Sequence, residues 1–332
     1  MYFSEEELEE AASRVHKVVS PTQQHAWPLL QQCTGCEVWV KHENHTPTGA
    51  FKIRGGVIYM ESLKREKPGC KGVIAATTGN HGQSIAVAAT KSNLPSIIVV
   101  PQNNSLNKNR AMSAQGARLI VHGVDFQEAL DHAIKLSKEK SFHMIPSFHP
   151  DLVKGVATYG LELFCATPDL HTVYVPIGLG SGICGVICAR EALGLTTHVV
   201  GVQAEGAPSY ALSFEARAPV STNRADTFAA GLATRIPDPE AVSIINQYAE
   251  RIVTVSDEEI LNAQALLLRD TNNIAEPAGA ATYAALLKER KQMSQKKVGV
   301  ILSGGNAEPD NIQSMLHSMA VEKNTDTRNQ KC

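Results

Sequence analysis

The chain has no surplus of charge of either sign. Over 332 residues the formal net charge is -2. That gives no electrostatic case for nucleic acid or an anionic membrane as partner. No apolar run approaches the length of a membrane span. The acidic first ten residues lack the apolar centre of a signal peptide, so a cytoplasmic location is expected. The seven cysteines are odd in number and scattered, unlike the disulfide framework of a secreted protein. Cys33 and Cys36 form a C-x-x-C, but a zinc ribbon needs a second such pair and none exists. Two small core or surface thiols fit better than a redox pair. Packing also explains Cys184 and Cys188, four apart on a predicted helix. No internal repeat is found.

What is present is ordinary bulk with unusual loops. Hydrophobic residues make up 43% and charged residues 19%, enough to bury a sizeable core in one large or two smaller units. Ser4 and Glu7 predict a capping box for a helix over about 5–18. Short β-branched runs at 37–41, 72–75, 96–100, 118–122, 171–175, 198–203 and 297–302 predict strands. Helical patterns lie between many of them, at 82–92, 107–115, 126–138 and 183–193. Such alternation predicts an α/β fold with parallel sheets and covering helices. Parallel sheets bind ligands at the carboxyl ends of their strands, so the loops that follow strands are informative.

Four segments carry chemistry. Thr46-Pro47-Thr48-Gly49-Ala50-Phe51-Lys52 sets one lysine between a turn and a predicted helix start. Lysine is a nucleophile only when deprotonated or held as a Schiff base. Taken alone, Lys52 is a surface lysine by default. Thr77-Thr78-Gly79-Asn80-His81-Gly82-Gln83 joins a strand to a helix, where free N–H groups attract an anion such as a carboxylate. That loop equally fits a helix start capped by Thr77 or Thr78, with solvated Asn80 and His81. Gly178-Leu179-Gly180-Ser181-Gly182 is a glycine turn suited to an isolated phosphate. It is neither a Walker loop nor a dinucleotide fingerprint, since Ile183 stands where a third glycine is required. Ser303-Gly304-Gly305-Asn306 offers a neutral hydroxyl beside glycines that permit close approach of a flat ring. Together they describe a pyridoxal phosphate site: phosphate at Gly178–Gly182, aldehyde at Lys52, ring nitrogen at Ser303.

These motifs, with Glu276-Pro277-Ala278-Gly279-Ala280, resemble the serine/threonine dehydratase family of pyridoxal-phosphate enzymes, from about residue 15 to 315. The resemblance implies fold type II, the tryptophan synthase β-like arrangement. Two open, mostly parallel twisted sheets with helices on both faces are expected. A discontinuous large unit would span 1–69 and 149–320, a small unit 70–148, and a disordered tail 321–332. The resemblance implies pyridoxal 5'-phosphate as cofactor, touched by Phe51, Lys52, Asn80, Gly178, Leu179, Gly180, Ser181, Gly182, Glu276 and Ser303. It implies substrate contacts from Thr77, Thr78, Gly79, Asn80, His81 and Ser147, with Lys52 and Thr78 as the catalytic pair. A homodimer is also implied.

Departures from the family pattern are informative. Racemases of the family carry two adjacent serines in the carboxylate loop; here the second is Thr78, stiffer at χ1. The family's divalent-cation carboxylates are replaced by Gln203 and Ser209, which removes most of the attraction for a hard cation, so no metal is expected. Glu205 is nearby but is not the matching residue. A Ser147-Phe148-His149 wall stands where relatives often carry asparagine; these side chains either shape the substrate or face away. The sequence ends soon after Ser303, so the regulatory domain of the biosynthetic threonine dehydratases is not expected. The expected function is elimination of water from a small β-hydroxy-α-amino acid, giving a 2-oxo acid and ammonia. Alternatives are a bulkier substrate (phenylserine, hydroxyaspartate or a hydroxyectoine-pathway intermediate), a racemase, and a non-catalytic nucleotide-binding protein.

Overall fold

The computed structural model describes residues 3–325, with side chains described to residue 319. In chain order the elements are α1 (Glu5–Val15), β1 (Gln24–Ala26), α2 (Pro28–Thr34), β2 (Glu37–His42), α3 (Lys52–Glu66), β3 (Val73–Ala76), α4 (Asn80–Lys91), β4 (Ser96–Val100), α5 (Leu106–Ala114), β5 (Arg118–Val121), α6 (Phe126–Lys140) and β6 (His143–Met144). There follow α7 (Pro150–Ala166), β7 (Thr172–Pro176), α8 (Ser181–Ala192), β8 (His198–Ala204), α9 (Ser209–Ala216), α10 (Pro239–Tyr248), β9 (Arg251–Val255), α11 (Asp257–Thr271), α12 (Pro277–Met293), β10 (Lys297–Leu302) and α13 (Pro309–Thr325).

The strands form two sheets. A six-stranded sheet runs β1-β2-β10-β7-β8-β9, and a four-stranded sheet runs β5-β4-β3-β6. Every pairing is parallel except β1 with β2. The fold class read from the sequence therefore holds. Both faces of the larger sheet carry apolar clusters, one centred on Val200, Tyr283 and Val300, the other on Val173, Ile183 and Val199. The smaller sheet is covered likewise.

Three strands escaped the sequence reading. β1 and β6 have three and two residues, too few for a period-two pattern to register. β9 did carry a signal, the β-branched run Ile252-Val253-Thr254-Val255 before the capping box of Ser256 and Glu259. Two helices begin two residues earlier than expected, α4 at Asn80 and α8 at Ser181. The last helix runs to Thr325, five residues into the expected disordered tail; the rest of that tail lies outside the described residues.

Helix α3 joins the two sheets, packing on α4 and α7. Its first turn is fixed by buried charge. The Arg54 guanidinium donates to Glu43 Oε2 at 2.7 Å and Oε1 at 2.9 Å, and to Glu162 Oε1 at 2.6 Å and Oε2 at 2.9 Å. Lys41 Nζ adds a 2.6 Å bond to Glu162. Two cations thus meet two carboxylates out of water. Burial by itself would raise the Glu162 carboxyl, but Arg54 and Lys41 hold it down at about 2. Replacing only one partner leaves buried charge uncompensated, which costs roughly 3–5 kcal/mol. Arg54→Met is therefore expected to lower the denaturant midpoint by a stability loss of about that size; an unchanged midpoint would contradict it. The Glu162 contribution has a definite sign with pH. Its folded pKa lies below the ordinary 4.5, so the stabilisation is present above that value and is lost as pH falls toward about 2.

Candidate active site

The site is built where β2, β3, β7 and β10 end. Lys52 opens α3, and the turn before it is closed by local bonds. Gly49 N–H donates to Thr46 O at 2.9 Å, and Thr46 Oγ1 both accepts from Ala50 N–H and donates to Ala50 O. Gly49 adopts φ +67°, and a Cβ there would meet Asn306 Oδ1 at 2.6 Å, so glycine is required twice over. Phe51 N–H donates to Ser303 O at 3.1 Å, tying the lysine to the end of β10.

The Lys52 ammonium makes no hydrogen bond or ion pair with the described residues. It sits 4.9 Å from the centroid of the Phe51 ring. Burial lowers its pKa from 10.5 to about 8, against a smaller opposing pull from Glu276. Roughly a tenth of this amine is then uncharged at pH 7, far more than for a surface lysine.

Two helix starts face this lysine without caps. α8 begins after Gly180, at φ +97°, with no side-chain cap, and the N–H groups of Ser181, Gly182 and Ile183 have no partner among the described residues. Phe51 spans the gap to this loop, its ring 3.5 Å from where a Cβ on Gly182 would stand. The Leu179 carbonyl accepts from Tyr210 Oη at 3.0 Å. Gly178 lies against the Gly231 carbonyl, closer than a Cβ would allow. α4 also has no side-chain cap, and the N–H groups of Asn80 and His81 have no partner among the described residues. Thr77 does not cap it; its Oγ1 accepts from Gly79 N–H at 3.3 Å. Thr78 is exposed. Uncapped helix starts of this kind bind anions.

The comparisons with known proteins agree. The family pattern described as pyridoxal-phosphate dependent enzyme matches residues 15–304. The chain belongs to the pyridoxal-phosphate dependent enzyme family. It is 33% identical to an L-threonine ammonia-lyase of Thermotoga maritima, over 96% of this chain and 79% of that one. It is 31% identical to an L-threo-3-hydroxyaspartate ammonia-lyase of Saccharomyces cerevisiae, over 92% and 94%. The processed form of threonine deaminase isoform 2 from Solanum lycopersicum superposes with a TM-score of 0.87 at 28% identity, covering 95% of this chain and 94% of that one.

The residues present fit the family's cofactor. A desolvated amine without a counter-ion lies between an uncapped glycine turn and a loop carrying a neutral hydroxyl. Ser303 is buried, and Gly304 approaches Glu276 so closely that a Cβ there would meet Oε1 at 2.5 Å. Asn80 is held from both ends. Its Nδ2 donates to Glu276 Oε1 at 2.8 Å and Oε2 at 3.1 Å, and its Oδ1 accepts from Asn306 Nδ2 at 2.8 Å. Asn306 also donates to Thr48 O at 2.8 Å. Burial raises the Glu276 pKa, opposed by the Asn80 bond and by Lys108 and Lys52.

His81 is the unexpected member. The Pro146 backbone pulls its pKa upward, against the larger effects of burial and Lys52. Nε2 is buried with no partner. Burial, then Lys52, lower its pKa to about 3, so the ring is neutral.

Other expected residues stand apart. Ser147 is half-buried with no bond to this cluster. Phe148 packs into the apolar core and His149 caps α7 through Asp151 N–H, so these two serve the fold. At α9, Gln203 Oε1 accepts from Ala211 N–H and Ser209 donates to Thr234 O, while Gln203 Nε2 is buried with no partner among the described residues. Glu205 pairs with Lys288 at 3.2 Å. Among the described residues no group of three His, Cys, Asp or Glu side chains could hold a metal ion. Cys36 is a buried free thiol, as are Cys184 and Cys188. No helix among the described residues is long and apolar enough to cross a membrane.

A cavity of about 620 Å³ adjoins the cluster, lined by Glu276, Asn306, Lys108 and Glu308 among others. Lys108 and Glu308 were not singled out by sequence reading, because they come from segments that carry no motif. Only an uncharged amine adds to an aldehyde. Loading of the apoprotein with pyridoxal phosphate is expected to quicken with pH and level off above about 8; a midpoint near 10.5 would mean a solvated lysine.

Proposed function

We propose that the protein is a pyridoxal-phosphate-dependent ammonia-lyase that removes water from a small β-hydroxy-α-amino acid of the threonine or serine type. The observation that carries this reading is the unpaired, desolvated Lys52 facing two uncapped helix starts. Relatives named for threonine and for hydroxyaspartate both act on β-hydroxy amino acids, which supports it.

The residues divide the work. The turn Gly178–Gly182 and the first N–H groups of α8 would hold the phosphate. Ser303 would meet the ring nitrogen, Phe51 the ring and Asn80 its phenolic oxygen, while Glu276 holds Asn80. The bound cofactor supplies a conjugated electron-poor ring that accepts the electron pair released when Cα–H breaks. Asn80 and His81 N–H groups, with Thr77 to Gly79, dock the substrate carboxylate. The Lys52 amine takes the Cα proton, which its lowered pKa permits near neutral pH. Tethering keeps that amine at the reacting carbon. The proton taken up by Lys52 balances the hydroxide lost when Cβ–O breaks, so the elements of water leave, and hydrolysis of the resulting enamine gives a 2-oxo acid and ammonia. Ser303 is neutral and cannot impose a proton on the ring nitrogen as a carboxylate would. That disfavours transamination and leaves elimination. Thr78, stiffer than a serine, stands where a racemase needs its second acid/base.

The adjoining 620 Å³ cavity favours a second reading, a lyase for a bulkier β-hydroxy amino acid. A homodimer in the cytoplasm belongs to the same reading, and sedimentation of the holoenzyme checks the assembly.

Keto-acid release should be compared across serine, threonine, phenylserine and hydroxyaspartate, with chiral analysis of recovered substrate. Release from at least one, abolished in Lys52→Ala together with the cofactor's visible absorbance, is expected. Racemisation without keto acid, or a colourless protein that stays inactive with added pyridoxal phosphate, would sink the proposal.

A further inference from the structure

Lys108 lies in the first turn of α5, behind its capping residue Ser105. Its stem rests on the carboxylate turn. Cδ is 3.3 Å and Cε 3.7 Å from where a Cβ on Gly79 would stand. Its ammonium is 3.3 Å from Glu308 Oε1. Ser105 holds this arrangement from both sides, accepting from Lys108 N–H at 3.2 Å and donating to Glu308 Oε2 at 2.8 Å. Lys108 is the only cation among the residues that line the 620 Å³ cavity. The Lys108–Glu308 side chains keep 20% and 35% of their exposure, so the pair is weakly held and easily exchanged.

The turn under Lys108 is the one whose Asn80 and His81 N–H groups have no partner among the described residues, as is true of the buried His81 Nε2. A carboxylate docked there brings full negative charge beside a lysine whose stem already covers the turn. We propose that Lys108 is a specificity-determining residue whose ammonium passes from Glu308 to the carboxylate of the incoming amino acid. Glu308, steered by Ser105, is its resting counter-ion. The inference rests on the reading of the α4 turn as the carboxylate site. It assigns Glu308 a competing role, so the two residues have opposite signs. Removing the lysine weakens carboxylate binding, and neutralising the glutamate strengthens it.

The test uses holoenzyme and two readouts. One is KM and kcat for the best amino acid substrate. The other is titration with propionate, a carboxylate without an amine, followed through the cofactor's visible absorbance. Lys108→Gln is expected to weaken propionate binding and raise KM by roughly tenfold, the scale of one charge-assisted bond, with a smaller change in kcat. Lys108→Arg should recover most of the loss. Glu308→Gln should tighten propionate and lower KM. If both neutralisations weaken binding, the pair is only a clasp between α5 and the segment after β10, and the proposal falls. It falls equally if Lys108→Gln leaves propionate binding unchanged. Should wild type turn over no β-hydroxy amino acid, the lyase reading fails while the propionate titration still decides Lys108.

Discussion

One turn of α3 carries two cations in opposite circumstances. Arg54 is fully buried and bonded to two carboxylates. Lys52, two residues earlier, is desolvated with no partner but a ring face. An unpaired buried ammonium is costly, and the cost falls when the amine gives up its proton. The rest of the site depends on keeping that amine dry and uncompensated. The Arg54 network secures the helix without lending Lys52 a counter-ion, since Glu43 and Glu162 are already spent on Arg54 and Lys41. The nearest acid, Glu276, is turned to Asn80 instead.

The surrounding electrostatics follow from what is left unmade. Six helices are capped at their start by a side chain, α1 and α11 through capping boxes. α4 and α8 are not, and both start at the carboxyl ends of parallel strands. Their N–H groups, without partners among the described residues, form fixed positive ends around an amine whose pKa burial lowers to about 8. Such an arrangement favours ligands with two separated anionic groups, and the protein does not have to reorganise to meet them. Asn306 ties the strand end after β10 to Asn80 and to the turn before Lys52, so three loops distant in sequence are bonded to one another.

Much of this was legible in the sequence. The alternation of strands and helices gave the layered α/β class, and glycine-rich turns after strands marked the loops with ligand chemistry. Lys52, Asn80, Ser181 and Ser303 lie in such turns. What escaped had no local pattern. β6 is a two-residue strand that exists because β3 lies beside it. Lys108 and Glu308 look like ordinary surface residues until α5 and the segment after β10 are brought together. Ser147, Phe148 and His149 resembled a substrate wall because they stand where relatives often carry asparagine, yet Phe148 packs against the apolar core and His149 caps a helix.

By itself the sequence determined residue chemistry and order: one lysine at a helix start, an amide loop, a glycine turn and a neutral hydroxyl. Those depend on side-chain type and short-range backbone rules, which act over a few residues. Only the tertiary structure decided which charges are paired. Burial and distance between segments up to two hundred residues apart set the Lys52 amine near neutrality, left the His81 nitrogen bare and placed Lys108 over Gly79. Desolvation is a property of the assembled surroundings and has no local signature in the chain.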